Sequence, residues 1–449
     1  MSKIKAFMRT KFTKATILRQ GGAEELARHV AQQFADTPLC FIVLPPEPIG
    51  AMVINLNRKG EYGMNNFTYY NPVKIVFGKG MIAELKSLIP SAAKVLLIYG
   101  GGSIKKNGVY DQVRAALSGH AVIEFGGIEP NPRYETCMKA AALAKAESAG
   151  FLLSVGGGSV LDATKFIAVA ALYGQGDPWG IMEGRQPIEA ALPLGSVLTL
   201  PATGSEMNTF AVISRDATGE KLAFSSPHCY PKFSILDPET TFSLPGRQVE
   251  NGIVDTFAHV MEQYLCDAGS APLTERMAEA VLRTLREEAP KVKANPDDYE
   301  VRASLMWCAT VALNGLLGCG VASQDWATHM IGHELTALYG LDHARTLAVI
   351  MPAVHRHQLA RKQKRLAQYA KRVWHIVQGD DATRAAQAIE KTEAFFKSVG
   401  VPTRLSEYGI DAAEAGRQVA ERLAKRAALI GEFGDLGPKE VQEIVALAK

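Results

Sequence analysis

Between residues 74 and 205 the chain repeats one pattern: a short aliphatic run, a glycine-rich turn, then a helical stretch. Residues 74–77 close on Gly78-Lys79-Gly80. Val95-Leu96-Leu97-Ile98-Tyr99 runs into Gly100-Gly101-Gly102-Ser103, residues 151–155 into Gly156-Gly157-Gly158-Ser159, and residues 196–200 end in Thr203-Gly204-Ser205. A further strand is expected over 121–125, with helices through Val113, Ala116 and Leu117, over 134–148 and over 160–171. Strands separated by helices at this spacing make βαβ units and a mainly parallel sheet.

After Asp237-Pro238-Glu239 strand signals nearly vanish and helical periodicity runs to Lys449. The expectation is an α/β Rossmann-like N-terminal domain over 64–245 followed by an all-α domain over 246–449. A chain of 449 residues also exceeds what one core normally supports. Residues 1–63 read differently. They have a basic start (Lys3, Lys5, Arg9, Lys11, Lys14, Arg19) and a proline run at Pro45, Pro46 and Pro48. This segment is expected to be a dispensable or disordered extension, or an artefact of start assignment with Met64 as the natural first residue.

Strand ends that open helices through glycine present unpaired backbone N–H groups at the positive end of a helix dipole, a geometry that binds phosphate. No turn here is the G-x-G-x-x-G fingerprint, and each alone also suits a tight structural turn. Three such turns on one parallel sheet, at 100–103, 156–159 and 203–205, favour a dinucleotide beyond the strand C-termini. Asp162 and Lys165 lie within two turns of Ser159 and add a polar edge, or else are a helix-start charge and an exposed lysine. An acidic residue on the adenosine ribose usually selects NAD. After Tyr99 this chain offers Ser103, Lys105 and Lys106 instead, which favours NADP(H).

The second constellation lies in the helical half. His329 and His333 are four residues apart, so a helix puts them on one face, and His343 follows beyond Gly340. Asp255 and His259 are likewise one turn apart, among Ile253, Phe257 and Val260 at helical spacing. Either pair alone suits packed or surface side chains on an amphipathic helix. Two chelating segments together point to one divalent cation, Zn2+ or Fe2+.

Bulk properties exclude other classes. A net charge of +3 offers no footprint for nucleic acid or a membrane surface. Six scattered cysteines without a C-x-x-C pair suit a reducing cytoplasm and exclude a thiolate metal site. The charged run 361–365 reads as a solvated helix face. The Ala- and Leu-rich stretch 305–317, with Met306 and Trp307, reads as the wall of an apolar substrate pocket, to which Trp326 would add.

Five motifs then carry a resemblance: G-G-G-S-x-x-D-x-x-K at 156–165, T-G-S-E at 203–206, D-P-E at 237–239, D-x-x-x-H at 255–259, and H-x-x-x-H at 329–333 followed by His343. From Met64 onward the chain resembles the iron-containing (group III) alcohol dehydrogenases, nearest their NADPH-dependent butanol dehydrogenase and broad-range aldehyde reductase branch. The resemblance implies a dehydroquinate synthase-like fold with the site in the cleft between a Rossmann-like and a helical domain. It implies Asp255, His259, His329 and His343 as ligands of one metal, with His333 nearby as a non-ligand and candidate proton donor. Gly157, Gly158, Ser159 and Asp162 would contact the pyrophosphate and nicotinamide side, and Thr199, Thr203, Ser205 and Lys221 would line the cofactor channel near Asn131. The activity implied is hydride transfer between NADP(H) and small to medium aldehydes or primary alcohols, in a homodimer. One departure stands out: most of that family reads Pro-His-Gly at the last ligand, whereas this chain reads Asp342-His343-Ala344, so a different local turn is expected. A dehydroquinate or glycerol-phosphate type enzyme, a metal-dependent hydrolase and a non-catalytic nucleotide sensor are the competing readings.

Overall fold

The structure, a computed structural model, describes residues 64–174, 176–185, 187–266 and 271–449; the expectation for 1–63 lies outside the described residues. In chain order the strands are β1 (Lys74–Phe77), β2 (Val95–Tyr99), β3 (Val122–Phe125), β4 (Phe151–Gly157), β5 (Leu194–Leu200), β6 (Phe210–Arg215), β7 (Glu220–Ser225) and β8 (Phe233–Leu236). Six of them form one parallel sheet in the order β1-β8-β5-β4-β2-β3. Helices α1 (Val109–Ala116), α2 (Tyr134–Ala146) and α3 (Gly158–Ala170) fill the crossovers.

Successive side chains of a strand point to opposite faces, and that alternation builds two layers here. Leu96, Ile98 and Leu152 face α2 and α3 through Cys137, Ala140 and Phe166. Val95, Leu97, Phe151 and Leu153 face Val109 and Val113 of α1 on the other side. The central strands β2 and β4 are buried on both faces, which is why they read as unbroken apolar runs. From β2 the chain moves outward to β3, and from β4 it moves the other way to β5. The crevice between the C-terminal ends of β2 and β4 is therefore the switch point where open α/β sheets bind ligands.

The rest of the chain is helical: α4 (Gly246–Tyr264), α5 (Pro272–Ala294), α6 (Tyr299–Ala312), α7 (Ala327–Tyr339), α8 (His343–His357), α9 (Leu359–Val373), α10 (Asp381–Ser398), α11 (Ala412–Lys425) and α12 (Pro438–Ala446). Helix α4 is the centre of this part, buried without interruption from Asn251 to Tyr264. Its Ile253, Phe257, Val260 and Met261 share one core with Leu282 and Leu285 of α5 and Leu347 and Met351 of α8. Burying a side chain such as Phe257 contributes about 1.5–3 kcal/mol, so this packing holds α4 firmly. Among the described residues no helix is long and apolar enough to cross a membrane.

Four features differ from the sequence expectations. The antiparallel hairpin β6–β7 and strand β8 were not anticipated. The hairpin had a signal: Ala211 and Ile213 alternate inward on one arm and Phe224 on the other. Its turn ends in Gly219 at φ 62°, a left-handed position that suits glycine. Helix α3 starts at Gly158, two residues earlier than expected. The run 361–365 is not simply solvated, because Lys362 is buried and paired with Asp325 at 2.5 Å and Glu432 at 3.4 Å. Finally, Met306 packs into a small core with Leu198 and Leu236, and Trp307 stands edge-on to Phe77 at 6.1 Å. Both point to the sheet and not to the histidines.

Candidate active site

Helix α4 supplies two side chains at i and i+4 that are almost fully buried: Asp255 is 3% exposed and His259 4%. His259 Nδ1 lies 3.9 Å from Asp255 Oδ2. Helix α7 brings His329 Nε2 to 4.0 Å from Asp255 Oδ1, and the start of α8 brings His343 Nε2 to 3.7 Å from the same oxygen. One ligand atom each from Asp255, His259 and His329 lie within 4.8 Å of one another. Metal–ligand bonds of ~2.1 Å would set tetrahedral ligand atoms roughly 3.4 Å apart, so small side-chain adjustments close the cluster on one cation.

The electrostatics agree with that use. Burial pushes both His259 and His329 down to about 4, with Asp255 acting against it, so the imidazoles are neutral as metal ligation requires. Asp255 Oδ1, His259 Nδ1 and His329 Nε2 are buried without a hydrogen-bond partner among the described residues. Each such atom costs about 1–3 kcal/mol if left unsatisfied. Three of them converging on one point fit a divalent cation.

Glu262, one turn beyond His259 on α4, was not singled out in the sequence. Its carboxylate bonds His329 Nδ1 and accepts the His329 backbone N–H at 3.2 Å. That contact leaves Nε2 of His329 facing Asp255, the arrangement in which an outer carboxylate fixes a ligand's ring. The available signal was Glu262's position on the Asp255–His259 face, at i+7 and i+3. Trp326 stands against the cluster, its ring 5.3 Å from that of His329 and 6.4 Å from that of His259. His333 is close by, its ring 5.0 Å from that of His343 and 6.3 Å from that of His329.

On the sheet side the glycine turns meet. Gly158 opens α3 against Thr203, where a Cβ would collide with the threonine hydroxyl. No side chain caps the start of α3, leaving its first N–H groups for an anion. The half-buried Ser159 and the buried Thr199 lie in the adjoining segments, and Gly100 and Gly102 are half-buried at the end of β2. Gly101 and Ser103 are exposed there. The ammonium of Lys105 is turned onto Glu124 at 3.4 Å and sits 4.8 Å from the ring centres of Tyr99 and Tyr110.

Asp162 and Ser205 have partners of their own. Ser205 Oγ donates to Asp162 Oδ1 at 2.7 Å, and the other carboxylate oxygen accepts from the Val212 N–H at 2.9 Å. Lys165 is fully buried and donates to Ser205 Oγ, Asn208 Oδ1 and the Phe210 carbonyl at 2.8, 3.1 and 2.8 Å. Neither the helix-start charge nor the exposed lysine describes these two residues. They tie α3 to the loop after β5 and to the hairpin. Burial pushes Lys165 down to about 8, Asp162 opposing.

Lys221 stands on the hairpin strand β7. Its ammonium donates to Asn131 Oδ1 at 2.9 Å, and Asn131 holds a left-handed backbone at φ 55°. Burial brings Lys221 to about 8, with Asp255 of the histidine cluster and then Asp162 pulling the other way.

Known proteins match this chain in sequence and fold. The model of the iron-containing alcohol dehydrogenases matches residues 72–238, and that of the C-terminal part of the Fe-containing alcohol dehydrogenase family matches residues 250–448. The NADPH-dependent aldehyde reductase YqhD of Escherichia coli is 56% identical over 350 residues, covering 78% of this chain and 90% of that protein. The crystal structure of E. coli YqhD superposes with a TM-score of 0.84 at 51% identity, covering 87% of this chain and all of that one. A probable NADH-dependent butanol dehydrogenase of Bacillus subtilis is 43% identical, over 86% of this chain and 99% of its own length. The parallel sheet with its glycine turns, the helical part and these matches lead to one conclusion: the chain belongs to the iron-containing alcohol dehydrogenase family.

Proposed function

We propose that this protein is a metal-dependent, NADP(H)-dependent aldehyde reductase and alcohol dehydrogenase acting on small to medium aldehydes and primary alcohols. The observation that carries this reading is the convergence of Asp255, His259 and His329, with His343 Nε2 3.7 Å from Asp255 Oδ1. The NADPH dependence of the E. coli relative supports the cofactor, as does the exposed Ser103 where an NAD-selecting acid would stand.

In this reading the four side chains hold one Zn2+ or Fe2+, and the cation and the reduced nicotinamide supply Lewis acidity and hydride, respectively. The chain's own residues prepare the site. Glu262 fixes the ring of His329. Trp326 covers His259 and His329 with an apolar surface that keeps water off them. The backbone N–H groups at the start of α3 seat the pyrophosphate, and Thr199, Thr203 and Lys221 line the channel, while Asp162, Lys165 and Ser205 hold that loop in place. His333, its ring 5.0 Å from that of His343, would be the proton donor to the product oxygen. Burial holds His333 well below the usual imidazole range, so as a neutral ring it would act as a relay, releasing the proton of one ring nitrogen while the other takes one from water.

The reading also divides the chain at about residue 245, in keeping with the two family matches, and includes a cytoplasmic homodimer. The unpaired, buried thiols of Cys137, Cys229, Cys266, Cys308 and Cys319 support a reducing compartment. Light scattering on purified protein tests the dimer. Metal analysis, with nicotinamide absorbance followed on butyraldehyde for NADPH against NADH, tests the activity. A protein without zinc or iron that leaves both cofactors unoxidised would refute it.

A further inference from the structure

We propose that Asp342 is a positioning residue for the metal centre, setting the register of His343 along α4; this rests on His343 being a ligand, as proposed above. Asp342 precedes the first residue of α8, the place where an aspartate normally accepts from its own helix's N–H groups. Here it makes no such cap. Its Oδ2 instead accepts from Arg247 Nε at 2.7 Å and Asn251 Nδ2 at 2.8 Å, both on α4. Asn251, Asp255 and His259 are successive fours on one stripe of that helix. Two adjacent residues thus dock on two adjacent turns: Asp342 on Asn251, and His343 on Asp255 at 3.7 Å. Arg345 adds a second tie, from Nε to Asp342 at 3.6 Å and from Nη2 to Glu250 at 3.1 Å.

His343 needs this tie more than the other ligands do. Its side chain is 23% exposed, against 9% or less for Asp255, His259 and His329. The ring of His329 is held by Glu262, whereas His343 Nδ1 has no hydrogen-bond partner among the described residues. Metal-binding histidines usually gain their orientation from a partner on the second nitrogen; for His343 the preceding residue takes over that task through the backbone. Helix α8 is meanwhile seated against α7 where Gly332 meets Thr346, a Cβ there lying 2.8 Å from the threonine hydroxyl. Asp342 therefore completes the locking of the three ligand-bearing helices. It is also the position at which the sequence departs from Pro-His-Gly, and a proline there could not make this contact.

The test uses the full chain stripped of metal, with Zn2+ affinity measured by competition against a chromophoric chelator and the thermal midpoint of the metal-free form recorded alongside. Asp342→Ala should weaken zinc binding about ten- to a hundredfold while leaving the metal-free midpoint near that of the parent. Asp342→Asn, which keeps an accepting oxygen, should recover most of the affinity. Arg247→Met, at a side chain 60% exposed, should give a smaller loss and serves if Asp342→Ala does not fold. Wild-type affinity in both Asp342→Ala and Arg247→Met overturns the proposal, as does a metal-free midpoint lowered with affinity intact. His343→Ala separates the two levels: if it also binds zinc normally, the ligand assignment itself falls, and if it alone loses zinc, only the role of Asp342 does.

Discussion

Glu262 illustrates how much one buried carboxylate can decide. It sits 4% exposed on the ligand-bearing helix, and burial, reinforced by Asp325, holds its carboxyl well above the usual range. What keeps it in place is the pair of contacts to the ring and backbone of His329. Removing that acceptor should let the ring turn. Glu262→Leu is expected to lower zinc affinity ten- to a hundredfold, and Glu262→Gln, which still accepts from an imidazole N–H, by distinctly less. Chelator competition reads both, and equal affinities would mean the ring is held by packing alone. At the other end of the cleft, Ser103→Asp places a negative charge at the exposed turn after β2. It should reduce the ratio of NADPH to NADH turnover about tenfold or more, since two like charges about 4 Å apart near a protein surface repel by about 1–4 kcal/mol. A ratio that does not move would take Ser103 out of cofactor selection.

Helix α4 carries Asp255 and His259, and the energetics of the site are those of its seating. One face packs on α5 and α8, and the opposite contact is with the loop after β5, where Gly252 lies so close that an added Cβ would be 2.5 Å from the Pro201 carbonyl. Backbone cannot yield as a flexible side chain does. Gly252→Ala should therefore push α4 off that loop and destabilise the protein by about 1–3 kcal/mol, the usual cost of overpacking. Denaturant unfolding measures it, and a variant as stable as the parent would show that the loop moves freely. Helix α3 has an analogous seat, with Asp162 and Lys165 tying it to the loop and hairpin.

For the molecule as a whole, a bound cation would add to the fold's stability. A ligand bound at a thousand times its dissociation constant stabilises the native state by about 4.1 kcal/mol. Removing metal with a chelator also leaves Asp255 Oδ1, His259 Nδ1 and His329 Nε2 buried without a hydrogen-bond partner among the described residues. The thermal midpoint should fall by several degrees on chelation and return on adding Zn2+ or Fe2+. A midpoint indifferent to chelator would argue that the cluster is only a packed set of neutral rings.

The sequence by itself determined the parallel sheet, the glycine turns at its strand ends, and the two one-turn pairs at 255/259 and 329/333. These are local periodicities, readable because strand and helix repeat every two and 3.6 residues. The hairpin was also legible in the alternation around Gly219. Only the tertiary structure decided which groups meet. It set His329 beside Asp255 with a ring fixed by Glu262, 67 positions away in the chain. It turned Asp162 and Ser205 onto each other, buried Lys362 against Asp325 within a run that reads as solvated, and laid Asp342 on Asn251. The physical reason is common to all of these. A charged side chain looks the same in sequence whether water or a distant partner satisfies it, and only the packing of remote segments settles which it is.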